Sequence, residues 1–163
     1  MRFILNLTLA LFLGVFLVGI SPALAKSCYS KAEAEAEQGI RIHSELMVIG
    51  LNCQHMTPAG WQNFYSQYRQ ITNRHADLFS GYEKTLISYY QRNGAGNAER
   101  KMHDMRTAFA NKVSGDAARM RPDVFCANFA PRIPRAAKMS RADFQEWAST
   151  MHPSHPLNQP VCN

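Results

Sequence analysis

Four cysteines constrain this chain more than any other feature, because Cys28, Cys53, Cys126 and Cys162 divide nearly its whole length. An even number of cysteines in an exported chain indicates disulfides, here two, which four cysteines can form in three different pairings. No Cys-x-x-Cys pair occurs, which excludes a thioredoxin-like redox pair, a c-type haem attachment site and a zinc knuckle. A chain of 163 residues is also long enough to bury a core. The disulfides are therefore expected to stabilise a hydrophobic core and not to substitute for one.

The first residues predict export. Arg2 is followed by an almost unbroken apolar run from Phe3 to Ile20, and the run ends in Ala23-Leu24-Ala25 before a polar segment. This order of a charge, an apolar stretch and an Ala-x-Ala site is typical of a cleavable signal peptide over residues 1–25. A retained membrane anchor is the alternative, since the run approaches the length that spans a bilayer. We expect residues 26–163 to form a single helical domain in the periplasm or outside the cell.

Two long helices are predicted in the first half of that domain. Ser30-Lys31-Ala32-Glu33 is a capping box, and apolar residues at three- and four-residue spacing continue the first helix to Cys53. Thr57-Pro58 is a second helix start, with Thr as N-cap and Pro at the first position. A long apolar and aromatic stripe continues this helix to about Arg92, with Ser80-Gly81 as the expected site of a bend.

The second half predicts one further long helix and shorter pieces. Met102, Met105 and Phe109 begin the apolar face of the third helix, which Pro122 ends. A short helix is expected over residues 123–129, a linker over residues 130–134, and a last short helix after the cap Ser140. From about residue 152 the chain is proline-rich and without periodicity, which predicts an extended tail. Strand signals are weak throughout.

Short connections between these helices favour an all-α up-down bundle of three long helices, with one or two short C-terminal helices. The first and third helices then run in the same direction, so Cys53 and Cys126 lie at the same end and are expected to pair. Cys28 lies about 35 Å away at the other end of the first helix, at 1.5 Å per residue. By elimination it pairs with Cys162 and fastens the tail along the bundle.

The candidates for chemistry are few. His152 and His155 stand close together in the tail beside Met151, but a polar tail explains them better than a metal site does. His43 and His75 lie on apolar helix faces, where a histidine bonded within the core is the expectation. Glu45 and the pair His103-Asp104 are the remaining acid–base material. No Gly-x-Ser-x-Gly, His-Glu-x-x-His or phosphate-binding loop occurs, so no catalytic residue, metal or cofactor is predicted.

Aromatic side chains are the best candidates for binding. The second helix carries more tyrosines than one narrow face can bury, namely Tyr65, Tyr68, Tyr89 and Tyr90. Some of these rings are expected at the surface, where an exposed cluster marks a site for a partner. The formal charge of +6 comes from Lys and Arg scattered along the chain. That pattern is typical of a solvated surface, so no nucleic-acid partner is predicted.

Two segments carry a resemblance to known sequences. The stretches AEAEQGIRIHSELMVIGLNC, which ends at Cys53, and AARMRPDVFC, which ends at Cys126, resemble a family of small exported proteobacterial proteins without an established function. The resemblance spans roughly Cys28 to Phe129. It implies a periplasmic helical domain and assigns no catalytic residue.

The sequence therefore predicts a non-enzymatic exported protein that binds another protein or an envelope component through exposed aromatic and Met side chains. It is not expected to remain in the membrane after processing. Two alternatives stay open. A small envelope hydrolase requires a concave pocket that holds His43, Glu45 or His103 beside another titratable group. A stress chaperone requires apolar surface that acid exposes, with His43 and His75 as proton acceptors if they are buried.

Overall fold

The computed structural model describes residues 27–162, and the predicted signal peptide lies outside this range. The described residues form an all-α fold without a named strand, as predicted. A single 3₁₀ turn, Gln54–Met56, follows the first helix. The helices are α1 (Lys31–Cys53), α2 (Phe64–Arg74), α3 (Ala76–Arg92), α4 (Ala98–Arg119), α5 (Pro122–Phe129), α6 (Arg132–Ala136) and α7 (Arg141–Ser149).

Helix α1 is the centre of the fold, and the other six helices pack around it. It begins at the predicted capping box, in which Ser30 accepts from the Glu33 amide and the Glu33 carboxylate accepts from the Ser30 amide. Ile40, Leu46 and Ile49 are almost wholly buried along its length. Gly39 permits the closest approach, because the ring of Tyr82 on α3 fills the space that a side chain would occupy. A helix surrounded on all sides is apolar on more than one face.

The predicted start of the second helix at Thr57-Pro58 is wrong. Helix α2 begins at Phe64, because the Asn63 side chain caps it by accepting from the amides of Tyr65 and Ser66. Thr57 instead stabilises a loop, where its hydroxyl donates to the Gln54 carbonyl and accepts from the Phe64 amide. Trp61 therefore lies in this loop and not on a helix face.

The predicted bend at Ser80-Gly81 is also wrong, because the interruption lies at His75. This residue leaves helical geometry at φ −113° and ψ 23° and separates α2 from α3. The backbone bonds on either side continue, since His75 donates to Ile71 and accepts from Phe79. The imidazole packs against Phe144 of α7, with ring centroids 4.9 Å apart. The break between α2 and α3 therefore coincides with a tertiary contact, and no glycine at this position indicates it in the sequence.

The short helix predicted over residues 123–129 is present as α5, which begins one residue earlier, at Pro122. The short helix predicted after Ser140 is present as α7, with a capping box between Ser140 and Asp143. The expected linker over residues 130–134 instead contains α6, whose Ile133 is fully buried. Pro134 fits there because the first turn of a helix has amide groups that need no intrahelical partner.

Both disulfides pair as predicted. Cys53–Cys126 joins the end of α1 to α5, with the two Cα atoms 5.5 Å apart, and Cys28–Cys162 joins the two ends of the described chain, at 5.2 Å. The tail is held beside Tyr29, whose amide donates to Pro160 and whose carbonyl accepts from Cys162, each at 2.8 Å. Two disulfides are consistent with an oxidising, extracytoplasmic location. Among residues 27–162, no helix has the length and apolar character needed to cross a bilayer.

Candidate functional site

A row of polar side chains on α1 holds the C-terminal tail. The Glu37 carboxylate accepts from the Asn158 amide at 3.0 Å, and Gln38 Nε2 donates to the His155 carbonyl at 2.9 Å. Arg41 Nη2 donates to the Pro156 carbonyl at 2.9 Å and to Glu37 at 3.2 Å. The tail therefore becomes a fixed wall of the molecule.

This row of buried polar side chains was not predicted from the sequence. Glu37 is in fact fully buried and Arg41 is 6% exposed. One signal was available: Glu37, Arg41 and Glu45 follow one another at four-residue spacing, which places three charged side chains in one stripe along the first helix. Such a stripe in a central helix requires polar partners from elsewhere in the chain.

The tail, α1, α6 and α7 enclose a cleft of about 700 Å³. This volume lies within the range typical of small-molecule sites. Its apolar wall consists of Ile42, Met139 and Trp147; the three helices supply its charged groups, and the tail supplies two histidines and a serine. The charged and polar side chains around it include Arg41, Glu45, Arg132, Arg135, Asp143, Glu146, His152, Ser154 and His155.

Within this cleft, three side chains stand in sequence, and we call them the Glu45–His155–Ser154 series. His155 Nε2 lies 3.3 Å from Glu45 Oε1, and the Ser154 hydroxyl lies 2.8 Å from His155 Nδ1. Arg132 Nη1 donates to the other Glu45 oxygen at 3.4 Å, and His152 Nδ1 lies 2.7 Å from the same serine hydroxyl. Glu45 thus stands in a concave pocket beside a second titratable group.

Burial controls the charge of this series. Desolvation raises the pKa of Glu45, and the positive charges of Arg132 and Arg41 oppose this effect. Desolvation lowers the pKa of His155, and the neighbouring cations Arg41 and Lys112 lower it further. The His155 imidazole is therefore neutral at neutral pH, with one nitrogen free to accept a proton.

A separate apolar surface surrounds the Cys53–Cys126 disulfide. Trp61 is 57% exposed and Met56 is 44% exposed, which is unusual for side chains of this size. Both line a pocket of about 350 Å³, which we call the Trp61 pocket. The other side chains that line it include Pro58, Phe64, Asp123, Cys126, Pro131 and Pro134. It shares no lining residue with the cleft.

Three further large apolar side chains are exposed at positions close in sequence to Cys53 or Cys126. Leu51 and Val124 each precede a cysteine of the disulfide by two residues, and Met120 directly follows α4. Apart from Met151 in the tail, the exposed large apolar side chains of residues 27–162 lie close in sequence to Cys53 or Cys126. The helix predicted from Thr57-Pro58 includes Trp61, although Pro58 and Gly60 just before this residue are a signal for a loop.

The four tyrosines proposed for binding do not form an exposed cluster. Tyr68 and Tyr89 are buried, and Tyr65 and Tyr90 are half-buried. Tyr65 packs on Tyr68 at 5.9 Å between ring centroids, and Tyr89 packs on Tyr90 at 5.5 Å. They form one pair on α2 and another on α3, and both pairs belong mainly to the core. A binding role for them stays a prediction.

The two histidines on apolar helix faces do not meet. Tyr68 and Thr72 place their hydroxyls 3.1 Å and 3.3 Å from His43 Nε2, as expected for a histidine bonded within the core. His75 is 3% exposed, and its Nε2 has no hydrogen-bond partner in the described structure. The rings of Phe79 and Phe144 connect the two imidazoles.

Three of the other histidines lie farther from the core: His103 and His152 are exposed, and His155 is half-buried. His103 lies on α4, and its Nδ1 lies 3.3 Å from Arg106 Nη2. His152 and His155 approach one another to 6.0 Å between ring centroids, on either side of Ser154. Within residues 27–162, no group of three or more His, Cys, Asp or Glu side chains is arranged to hold a metal ion.

Comparison with known proteins adds no assignment to these sites. No protein-family model, curated protein or solved structure matches this chain.

Proposed function

We propose that this protein is exported to the periplasm or beyond the cell, and that it binds a protein of the cell envelope through the Trp61 pocket. The observation that carries this proposal is the exposed indole of Trp61 at the edge of an apolar pocket of about 350 Å³. Tryptophan is among the side chains that contribute most to protein–protein affinity when a partner covers it.

The lining of the pocket favours a protein over a polar ligand. Pro58, Pro131 and Pro134 supply rigid apolar walls, and Asp123 supplies the one acidic group, which Arg121 pairs at 2.7 Å. A pocket of this kind suits one or two large apolar side chains inserted by a partner. Binding of this type requires no catalysis at the pocket.

The location is supported by two separate features. A signal peptide is predicted over residues 1–25, and the two disulfides need an oxidising compartment to form. The disulfide Cys53–Cys126 also holds α5 against the end of α1, and α5 contributes Asp123 and Cys126 to the pocket. Export and the shape of the binding surface are therefore connected.

The test is site-specific photo-crosslinking in intact cells, with a photoreactive amino acid at position 61. We expect one reproducible crosslinked protein, and we expect Trp61→Ala to weaken its binding about 30-fold, since a buried tryptophan contributes about 2 kcal/mol or more. Met151→Ala is the matched control, because Met151 is 59% exposed and lies in the tail. The absence of any reproducible crosslinked protein, or an equal loss in both variants, would contradict the proposal.

A further inference from the structure

The Glu45–His155–Ser154 series has the parts that nucleophilic catalysis needs. A serine hydroxyl lies within hydrogen-bond distance of an imidazole nitrogen, at 2.8 Å, and a carboxylate lies 3.3 Å from the other nitrogen. A nucleophile, a base and a group that orients the base, in that order, define the arrangement of serine hydrolases on many unrelated folds. The series opens into a cleft of about 700 Å³.

Attachment of the tail does not account for the series. Glu37, Gln38 and Arg41 already hold the tail through the backbone of residues 155–158. Among residues 27–162, the Ser154 hydroxyl forms hydrogen bonds only with His152 and His155, both in the tail itself, and therefore attaches nothing to the helices. Burial of the Glu45 carboxylate, 12% exposed, also carries a desolvation cost that one long bond from Arg132 only partly offsets.

We propose that this cleft is an acyl-hydrolase site that cleaves small carboxylic esters, with Ser154 as the nucleophile, His155 as the general base and Glu45 as the group that orients His155. The apolar wall of Ile42, Met139 and Trp147 would receive the acyl group. The site is distinct from the Trp61 pocket and acts on a different class of ligand.

Ester hydrolysis at this site requires no co-reactant other than water. Ser154 Oγ attacks the ester carbonyl carbon, and its proton passes to His155 Nδ1, while Glu45 stabilises the imidazolium that forms. The bond from the carbonyl carbon to the alcohol oxygen breaks, and that oxygen takes the proton from Nδ1. Water then attacks the acyl-serine with the same help from His155, which releases the carboxylic acid and restores Ser154.

Two features of the site shape this chemistry. Arg132 lines the same cleft and donates to Glu45 at 3.4 Å, and its positive charge favours the ionised carboxylate that faces His155. The serine lies on Nδ1 and the carboxylate on Nε2, which reverses the usual use of the two nitrogens. The reversal follows from the sequence, because Ser154 and His155 are neighbours and only Nδ1 is within reach.

The first test measures hydrolysis of p-nitrophenyl acetate and p-nitrophenyl butyrate by the purified, disulfide-intact protein. We expect Ser154→Ala, His155→Gln and Glu45→Gln each to lower kcat/KM about 100-fold or more, as for loss of a nucleophile or general base. Exposed histidines also hydrolyse such esters slowly, so His103→Gln is the control and should leave the rate unchanged. Rates of Ser154→Ala equal to the unsubstituted protein would overturn the proposal.

The second test identifies the nucleophile directly. A fluorophosphonate probe should label the protein once, and mass spectrometry of the peptides should place the label on Ser154. Ser149→Ala, on the exposed end of α7, should be labelled as fully as the unsubstituted protein. No label, or a label on another serine, would mean that the series is only structural. Because Ser154 is exposed, the Ser154→Ala variant should fold, which the thermal unfolding temperature and disulfide mapping verify.

Discussion

Some side chains of this protein make contacts that cannot be predicted from the residues next to them in the sequence. His43 is the clearest case, because it accepts or donates one bond to each of two hydroxyls on α2 and packs on Phe79 of α3 at 4.6 Å. Burial lowers the pKa of His43 from 6.5 to about 4, and the positive charge of Arg106 adds to this effect. The folded protein therefore keeps this imidazole neutral.

A pH dependence of stability follows from that pKa. As the pH falls below 6.5, the unfolded chain binds a proton at His43 and the folded protein does not until about pH 4. The free energy of unfolding should therefore decrease between pH 6.5 and pH 4, by about 3 kcal/mol from this group. Urea unfolding at pH 7, 5 and 4 measures it. His43→Gln should lose less stability over that range, whereas His103→Gln should behave as the unsubstituted protein does.

Gly39 is a second position where a single residue controls the packing, because there is no room for a Cβ atom. A Cβ there would lie 2.3 Å from Cε2 of Tyr82, whose ring is buried and whose hydroxyl donates to Glu35. We expect Gly39→Ala to lower the free energy of unfolding by about 1–3 kcal/mol, as for overpacking of a core. Gly81→Ala on α3 is the control, since nothing lies within 4 Å of its Cβ. It should be neutral or stabilising, by up to about 1 kcal/mol. Thermal and urea unfolding distinguish the two.

At the scale of elements, α1 and the C-terminal tail form one unit although more than 110 residues separate them. Glu37, Gln38 and Arg41 each bond to a backbone group of the tail, so these three contacts do not depend on tail side chains. Glu37 is central to it, because it receives the Asn158 amide and also neutralises Arg41, which is itself buried.

Removal of that carboxylate should be costly. Glu37→Ala leaves Arg41 buried without its ionic partner, and we expect a loss of about 3–5 kcal/mol in the free energy of unfolding. Glu99→Ala, at an exposed position in the first turn of α4, should cost less than about 1 kcal/mol. Urea unfolding compares the two, and protease cleavage of residues 151–158 should increase only in the Glu37 variant. Equal stability of both variants would show that the tail contact is not a structural determinant.

The helix boundaries also show which features of the fold local sequence signals can predict and which they cannot. The capping boxes at Ser30 and Ser140 predicted two helix starts correctly, because a cap is made entirely by neighbouring residues. The break at His75 has no such local cause. Its imidazole is held by Phe144, 69 positions away in the printed sequence, and only the folded chain brings them together.

At the scale of the whole molecule, the two disulfides stabilise different parts of the fold. Cys28–Cys162 closes a loop with a sequence separation of 134 residues, and Cys53–Cys126 closes one of 73. The first holds the tail that walls the cleft, and the second holds α5 beside the Trp61 pocket. Each should contribute about 4 kcal/mol in the chain-entropy account, in which the cost depends only weakly on loop length.

The double variants separate these roles. Cys28→Ser with Cys162→Ser should free the tail, so limited proteolysis should cleave it first and ester hydrolysis in the cleft should be lost. Crosslinking at position 61 should persist in that variant. Cys53→Ser with Cys126→Ser should weaken crosslinking and leave the tail protected. Both should lower the free energy of unfolding by about 4 kcal/mol. Identical effects of the two variants on both sites would show that the sites are not independently held.

The sequence by itself determined the all-α class, the helix caps at Ser30 and Ser140, the extended tail and the pairing of all four cysteines, because these depend on local periodicity and on the order of helices along the chain. Only the tertiary structure decided which rings are exposed, where α2 begins, and that Glu37, Arg41 and Glu45 face the tail. The cleft and the Trp61 pocket belong to that second group. Each is built from segments far apart in sequence, and burial is a property of the packed chain that no single segment carries.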